Sequence, residues 1–172
     1  MKRILLILAL VAGATLNTLA QKPGGDKFDI GLEFGKTTGS YSNFVDFAFG
    51  ASLKYNHPIA DGLVFTGSAG YTYLPYNNDF KTATLGFNVA SSGEGFVPLK
   101  AGVKYFFNKT IYGEGQIGAA LSTNSGGGAA FAYAPGIGAA FGGGADIGIR
   151  YEGWSKSGNT ISQVALRIAY SF

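Results

Sequence analysis

The sequence predicts an all-β chain, an eight-stranded antiparallel up-and-down transmembrane β-barrel preceded by a cleavable signal peptide. Three observations carry that expectation. Apolar residues alternate with small or polar ones at a period of two through eight stretches of about ten residues, the length a tilted strand needs to cross a bilayer. Only 13% of the 172 residues are charged, about half of the roughly 25% usual in soluble domains, while 15% are aromatic and mean hydropathy is +0.17. After residue 20, no apolar run approaches the ~18 residues of a membrane helix, so strands must do the spanning.

The first twenty residues read as a secretory leader. Lys2 and Arg3 give the basic start, Ile4 to Ala12 the apolar run, and Thr18-Leu19-Ala20 a small-x-small cleavage site before Gln21. The expected organisation is a signal peptide at 1–20, a flexible entry at 21–26 containing Pro23, Gly24 and Gly25, and one barrel at 27–172. Cleavage takes two of the 13 basic residues and none of the 10 acidic ones, so eleven face ten and the net charge falls from +3 to +1. That balance offers nothing to nucleic acid. The chain has no cysteine, which excludes disulfides, thiolate chemistry, cysteine-bound metals and an acylated lipoprotein anchor.

The strands follow in order. Phe28, Ile30, Leu32 and Phe34 alternate with Asp29, Gly31, Glu33 and Gly35, and the polar run Lys36 to Asn43 follows. The second strand carries Val45, Phe47, Phe49, Ala51, Leu53 and Tyr55 against Asp46, Ala48, Gly50, Ser52 and Lys54; Asn56-His57-Pro58 stops it and Asp61-Gly62 completes a turn. The third runs from Leu63 to Tyr73. Leu74 to Gly95 is the longest irregular region, opened by Pro75 and Asn77-Asn78-Asp79, with strand-like alternation over 81–90 read as loop extensions. Val97 to Phe107 is the fourth strand, Asn108-Lys109-Thr110 a tight turn, Ile111 to Leu121 the fifth, and Ser122 to Gly128 a loop. Phe131 to Phe141 is the sixth and Gly142-Gly143-Gly144 its turn; the seventh runs from Ala145 to Glu152, Trp154 to Thr160 is a last loop, and the eighth runs from Ser162 to Phe172. Connections after strands two, four and six are short, and those after one, three, five and seven are longer and polar. This is the asymmetry of a barrel with short periplasmic turns, longer extracellular loops and both mature termini periplasmic.

Period-two alternation fits a soluble barrel equally well, so the faces must be told apart chemically. The less apolar face is mostly Gly, Ala, Ser and Thr with isolated charges, which suits a narrow interior filled by side chains. The apolar face gathers aromatics near both strand ends, the arrangement bilayer interfaces favour, and Trp154 is expected in the loop-side belt. The inward charges are Asp29, Glu33, Asp46, Glu114, Asp146 and Glu152 against Lys54, Lys100, Lys104, Arg150 and Arg167, and such groups need partners. Lys104, Glu114, Glu33, Arg167, Asp146 and Arg150 are the interior ion-pair candidates. If the Asn108 turn pairs Phe107 with Ile111, Lys104 lies opposite Glu114, and that ion pair is expected.

Catalytic and cofactor signals are weak. Gly113 to Gly118 matches G-x-G-x-x-G, but no helix opens there, so small strand residues are the expected reading and no cofactor is implied. Asn108-Lys109-Thr110 matches a glycosylation sequon inside an expected periplasmic turn. His57 is the single histidine and sits beside Pro58; no Gly-x-Ser-x-Gly elbow or metal-ligand spacing accompanies it.

The segments V-P-L-K-A-G-V-K-Y-F-F (97–107), A-Y-A-P-G-I-G (132–138), D-I-G-I-R-Y-E (146–152) and the terminal L-R-I-A-Y-S-F resemble the small outer-membrane barrels common in Bacteroidota, similar in architecture to the OmpX and OmpA membrane domains. The resemblance covers Phe28 to Phe172. It implies outer-membrane localisation among lipids and lipopolysaccharide, and it makes Tyr170 and Phe172 the signal read by the barrel-assembly machinery. Some barrels of this size modify lipid A with a His near the outer leaflet, and His57 falls at the opposite end. The expected role is therefore non-enzymatic and without an open pore, structural or exercised through the loops, with any extracellular ligand expected at loop 74–95. Passage of small apolar molecules, as in OmpW-like barrels, is the alternative, and lipid-A modification a third.

Overall fold

The computed structural model describes residues 25–77, 93–124 and 126–172. Their alternating pattern builds eight strands: β1 (Lys27–Thr38), β2 (Phe47–Ala60), β3 (Leu63–Pro75), β4 (Gly93–Phe106), β5 (Ile111–Ser122), β6 (Ala129–Ala140), β7 (Ala145–Lys156) and β8 (Asn159–Ser171). Each pairs antiparallel with its sequence neighbours, and β8 returns to β1, so the barrel closes and leaves no edge. At the seam Phe28 and Phe172 exchange both backbone hydrogen bonds, at 2.9 and 3.1 Å. The expected signal peptide at 1–20, residues 21–24 of the entry and the stretch 81–90 lie outside the described residues.

Polarity is inverted relative to a soluble protein. Ile117 and Ile137 on the outside are 61% and 65% exposed, while Lys54 inside is 1% exposed. An outer surface this apolar is stable against hydrocarbon rather than water. Phe34, Phe47, Tyr71, Phe131 and Tyr151 ring the loop end, and Tyr105, Phe107, Phe141 and Tyr170 the turn end. Trp154 departs from this scheme. It is 2% exposed and lies inside, because the inward parity of Asp146, Arg150 and Glu152 continues through it.

Inward glycines make room for the large polar side chains of a narrow barrel. A Cβ at Gly31 would meet the Arg167 guanidinium, one at Gly35 the Gln163 amide, and one at Gly138 the Tyr112 phenol. Two inward or outward prolines interrupt the ladders, since neither offers an N–H. The β3–β4 register passes from Ala69–Leu99 to Thr72–Phe96 around Pro98, and the β6–β7 register from Tyr133–Gly153 to Gly136–Arg150 around Pro135.

Several boundaries differ from expectation. β2 continues through Asn56-His57-Pro58 to Ala60, with a register shift after Pro58 that lets the strand pass its prolyl residue. It begins at Phe47, because Gly39–Asn43 forms a 3-10 helix whose Tyr41 carbonyl accepts from Phe44 and Val45. The reversal breaks the strand parity there: Val45 is fully buried instead of facing outward, and Asp46 is exposed instead of inward. The Trp154 to Thr160 segment is not a loop. β7 runs to Lys156 and β8 starts at Asn159, joined by Ser157 (φ 49°) and Gly158 (φ 83°), the two positive φ values a tight hairpin needs. Pro75 and Gly93 pair as part of β3 and β4, so the ends of the long 74–95 region belong to the barrel.

Candidate functional site

The interior carries five acids and five bases among the described residues, arranged in two tiers. In the tier nearer the loops, Glu152 accepts from Lys100 Nζ (2.5 Å), Arg150 Nη2 (2.7 Å) and the Trp154 indole N–H (3.0 Å). Arg150 also reaches Glu33 at 2.6 Å, and the Ser52 hydroxyl donates to Glu33 at 2.7 Å. In the tier nearer the turns, Lys54 lies 2.6 Å from Glu114 and Lys104 3.3 Å from Asp146, which also accepts from the Tyr112 hydroxyl at 2.8 Å. Asn56 and Ser171 donate to Asp29. Arg167 joins the tiers: its Nη1 is 3.6 Å from both Asp29 and Asp146, and its Nε is 3.8 Å from Glu33.

All six sequence candidates therefore meet inside, though with different partners for one pair. Lys104 does sit opposite Glu114 in the β4–β5 register, but its ammonium goes to Asp146 on the far wall and lies 4.1 Å from the Tyr112 ring centroid. Glu114 takes Lys54 instead. Adjacent-strand register cannot see such pairs, since a long side chain in a narrow barrel crosses it. Matched charges make this burial tolerable, because each of the ten has an opposite charge within 4 Å. Between the tiers lies a void of about 20 Å³, lined by Lys54, Tyr112, Glu114, Arg150 and Arg167. That is room for about one water, beside an Arg167 whose terminal nitrogens make no hydrogen bond to the protein.

Above the tiers, at the loop end, the interior turns apolar. Trp154 and Phe96 pack with ring centroids 4.8 Å apart over Val45, Ala48, Leu74, Ala120 and Ala132. On one side this cap is closed by Tyr41 and Tyr76, whose hydroxyls donate to the two oxygens of Glu94 at 3.0 and 2.7 Å. Burial, then the Glu94 carboxylate, pushes both phenols above the ordinary tyrosine pKa. On the other side the described residues leave a vestibule of about 540 Å³ between β4 and β8, with Glu94, Asn124, Lys156 and Asn159 at its rim. Sequence reading missed this site because it assigned Trp154 to the lipid belt and left Phe96 unassigned. Strand parity carried forward from Glu152 would have turned the indole inward.

The turn end holds a separate cavity of about 180 Å³ reached by Lys27, Asn56, Lys104 and Asp146. His57 lies there on the outer face, half exposed, with Nδ1 2.6 Å from Asp26 and the Tyr55 hydroxyl 2.8 Å from the same carboxylate. The three residues tie the entering chain to β2. Asn108 accepts from the backbone N–H of Thr110 and Ile111, both at 2.8 Å, so the sequon-like triplet is an Asx turn. In Gly113 to Gly118 the glycines are strand residues of β5, with Gly118 against the β4 backbone.

No family model matches the chain, and no curated protein matches its sequence. Its fold matches solved structures well. The outer membrane protein Ail of Yersinia pestis, in phospholipid nanodiscs, is 18% identical with a TM-score of 0.59, over 87% of this chain and 100% of Ail. The outer membrane enzyme PagL is 15% identical with a TM-score of 0.59, over 83% and 98%. A de novo designed transmembrane β-barrel is 16% identical with a TM-score of 0.55, over 88% and 98%. At these identities the likeness is one of fold.

Proposed function

We propose that the chain is an integral β-barrel of a bacterial outer membrane, with both mature termini periplasmic, that neither catalyses a reaction nor conducts ions, and that acts structurally or through its outer mouth. The observation that carries this reading is the filled interior: two ion-paired tiers with about 20 Å³ between them separate the vestibule from the turn-end cavity. The apolar exterior supports the membrane setting, as does likeness to outer-membrane barrels. Outer-membrane lipids and lipopolysaccharide then surround the barrel, and the terminal strand with Tyr170 and Phe172 engages the assembly machinery. Passage of small apolar molecules is disfavoured by the charged tiers, which would have to part. Lipid-A modification is disfavoured by the position of His57, held by Asp26 at the turn end.

Mass spectrometry of lipid A and phospholipid from cells with and without the gene tests this, alongside membrane fractionation and heat-modifiable gel mobility. Unchanged lipids with a heat-modifiable outer-membrane band are expected. A lipid change abolished by substituting one polar residue at the loop end would make the protein an enzyme.

A further inference from the structure

We infer that the outer vestibule is a binding site for a neutral saccharide of a few sugar rings. The inference rests on the proposal that the loop end faces outward. The cavity, about 540 Å³, falls within the ~300–1,000 Å³ range of small-molecule sites. Its frame is rigid: the indole beneath it is fixed by Glu152, itself held by Lys100 and Arg150, and the β7–β8 wall is a two-residue hairpin. Glu94 is oriented on the facing wall by two phenols.

The rim chemistry selects the ligand. The side-chain amides of Asn124 and Asn159 make no hydrogen bond to other described residues, and Ser157 stands beside them. Lys156 spends one donor on the Gly127 carbonyl and keeps the others. Among the described lining residues one carboxylate and one ammonium cancel, so a polyanion finds no net charge in that lining. Trp154 and Phe96 are nearly covered, which denies a nucleobase its stacking platform; the apolar surface within reach is that of Ala130 and Ile161. A closed barrel has no edge for an added peptide strand. Vicinal hydroxyls, each both donor and acceptor, match planar amides and a carboxylate around a small apolar floor.

Saturation-transfer-difference NMR on the full mature chain in nanodiscs tests this, with maltose, lactose and chitobiose as neutral probes and a sulfated chondroitin disaccharide as the anionic one. At least one neutral disaccharide is expected to bind. Asn124→Ala and Asn159→Ala are each expected to weaken it by about tenfold, the worth of roughly one good hydrogen bond, and Lys109→Ala at the other end should leave it unchanged. No neutral binding, binding of the sulfated sugar alone, or binding indifferent to both rim variants would overturn the inference. Heat-modifiable mobility of each sample keeps this failure distinct from failure of the barrel reading: a folded barrel that binds no sugar refutes the site, and a chain that never folds into the bilayer refutes the barrel.

Discussion

The Lys54–Glu114 pair shows how the interior is held, and taking it apart should cost unequal amounts on its two sides. Glu114→Gln leaves the Lys54 ammonium, 1% exposed, without its carboxylate and facing Arg167 across the small void. Breaking a buried pair by removing one partner costs about 3–5 kcal/mol, and the 12% exposure of Glu114, which lets water in, points to the lower end. Lys54→Met should cost less, about 1–2 kcal/mol, because Lys104 lies opposite Glu114 and can swing to it from Asp146. With both charges gone, the Lys54→Met/Glu114→Gln variant should return to within about 1 kcal/mol of the wild type. Urea titrations of the barrel in lipid vesicles, followed through the single tryptophan, give these values by linear extrapolation. Equal single costs, or a double variant as unstable as the sum of its parts, would refute the pairing.

Other outcomes follow from the same geometry. Trp154 should emit as a buried indole and resist quenching by brominated lipid chains, whereas strong quenching would return it to the lipid belt. Gly102→Ala should abolish the heat-modifiable band, since a Cβ there meets the Gly115 carbonyl and the Gln116 Cα at 2.7 Å; Gly115→Ala, with nothing within 4 Å, should fold and gain about 0.5–1 kcal/mol. The phenols of Tyr41 and Tyr76, raised by burial and by Glu94, should ionise late in an ultraviolet titration. Because the folded pKa values lie above the unfolded one, their contribution is complete below about pH 10 and is lost as pH rises through the folded values. Glu94→Gln should bring both ionisations down, and titration at the ordinary value in the wild type would contradict the clamp.

How much of this was legible depends on the range of the interaction. Alternation from Phe28 to Phe172 reveals strand number, face and order, because a period of two is a local consequence of backbone geometry. The charges from Glu33 to Arg167 announce a polar interior for the same reason. Register across the Asn108 turn was legible too, yet Lys104 bonds Asp146, which is distant in sequence and near in space because the barrel closes. Parity fails where the chain reverses, as at the 3-10 helix before Phe47, which sends Val45 inward and Asp46 outward. At Ser157-Gly158 the polar residues resembled a loop, although the positive φ values of a two-residue hairpin need that composition. The vestibule was invisible because Phe96, Glu94 and Trp154 come from strands far apart in sequence.

Conductance of the folded, heat-modifiable protein in planar lipid bilayers tests the sealed interior most directly. A flat trace in the wild type, with discrete steps emerging once Glu152 and Glu114 are neutralised together, is what two ion-paired tiers require. Steady channel openings in the wild type would contradict them.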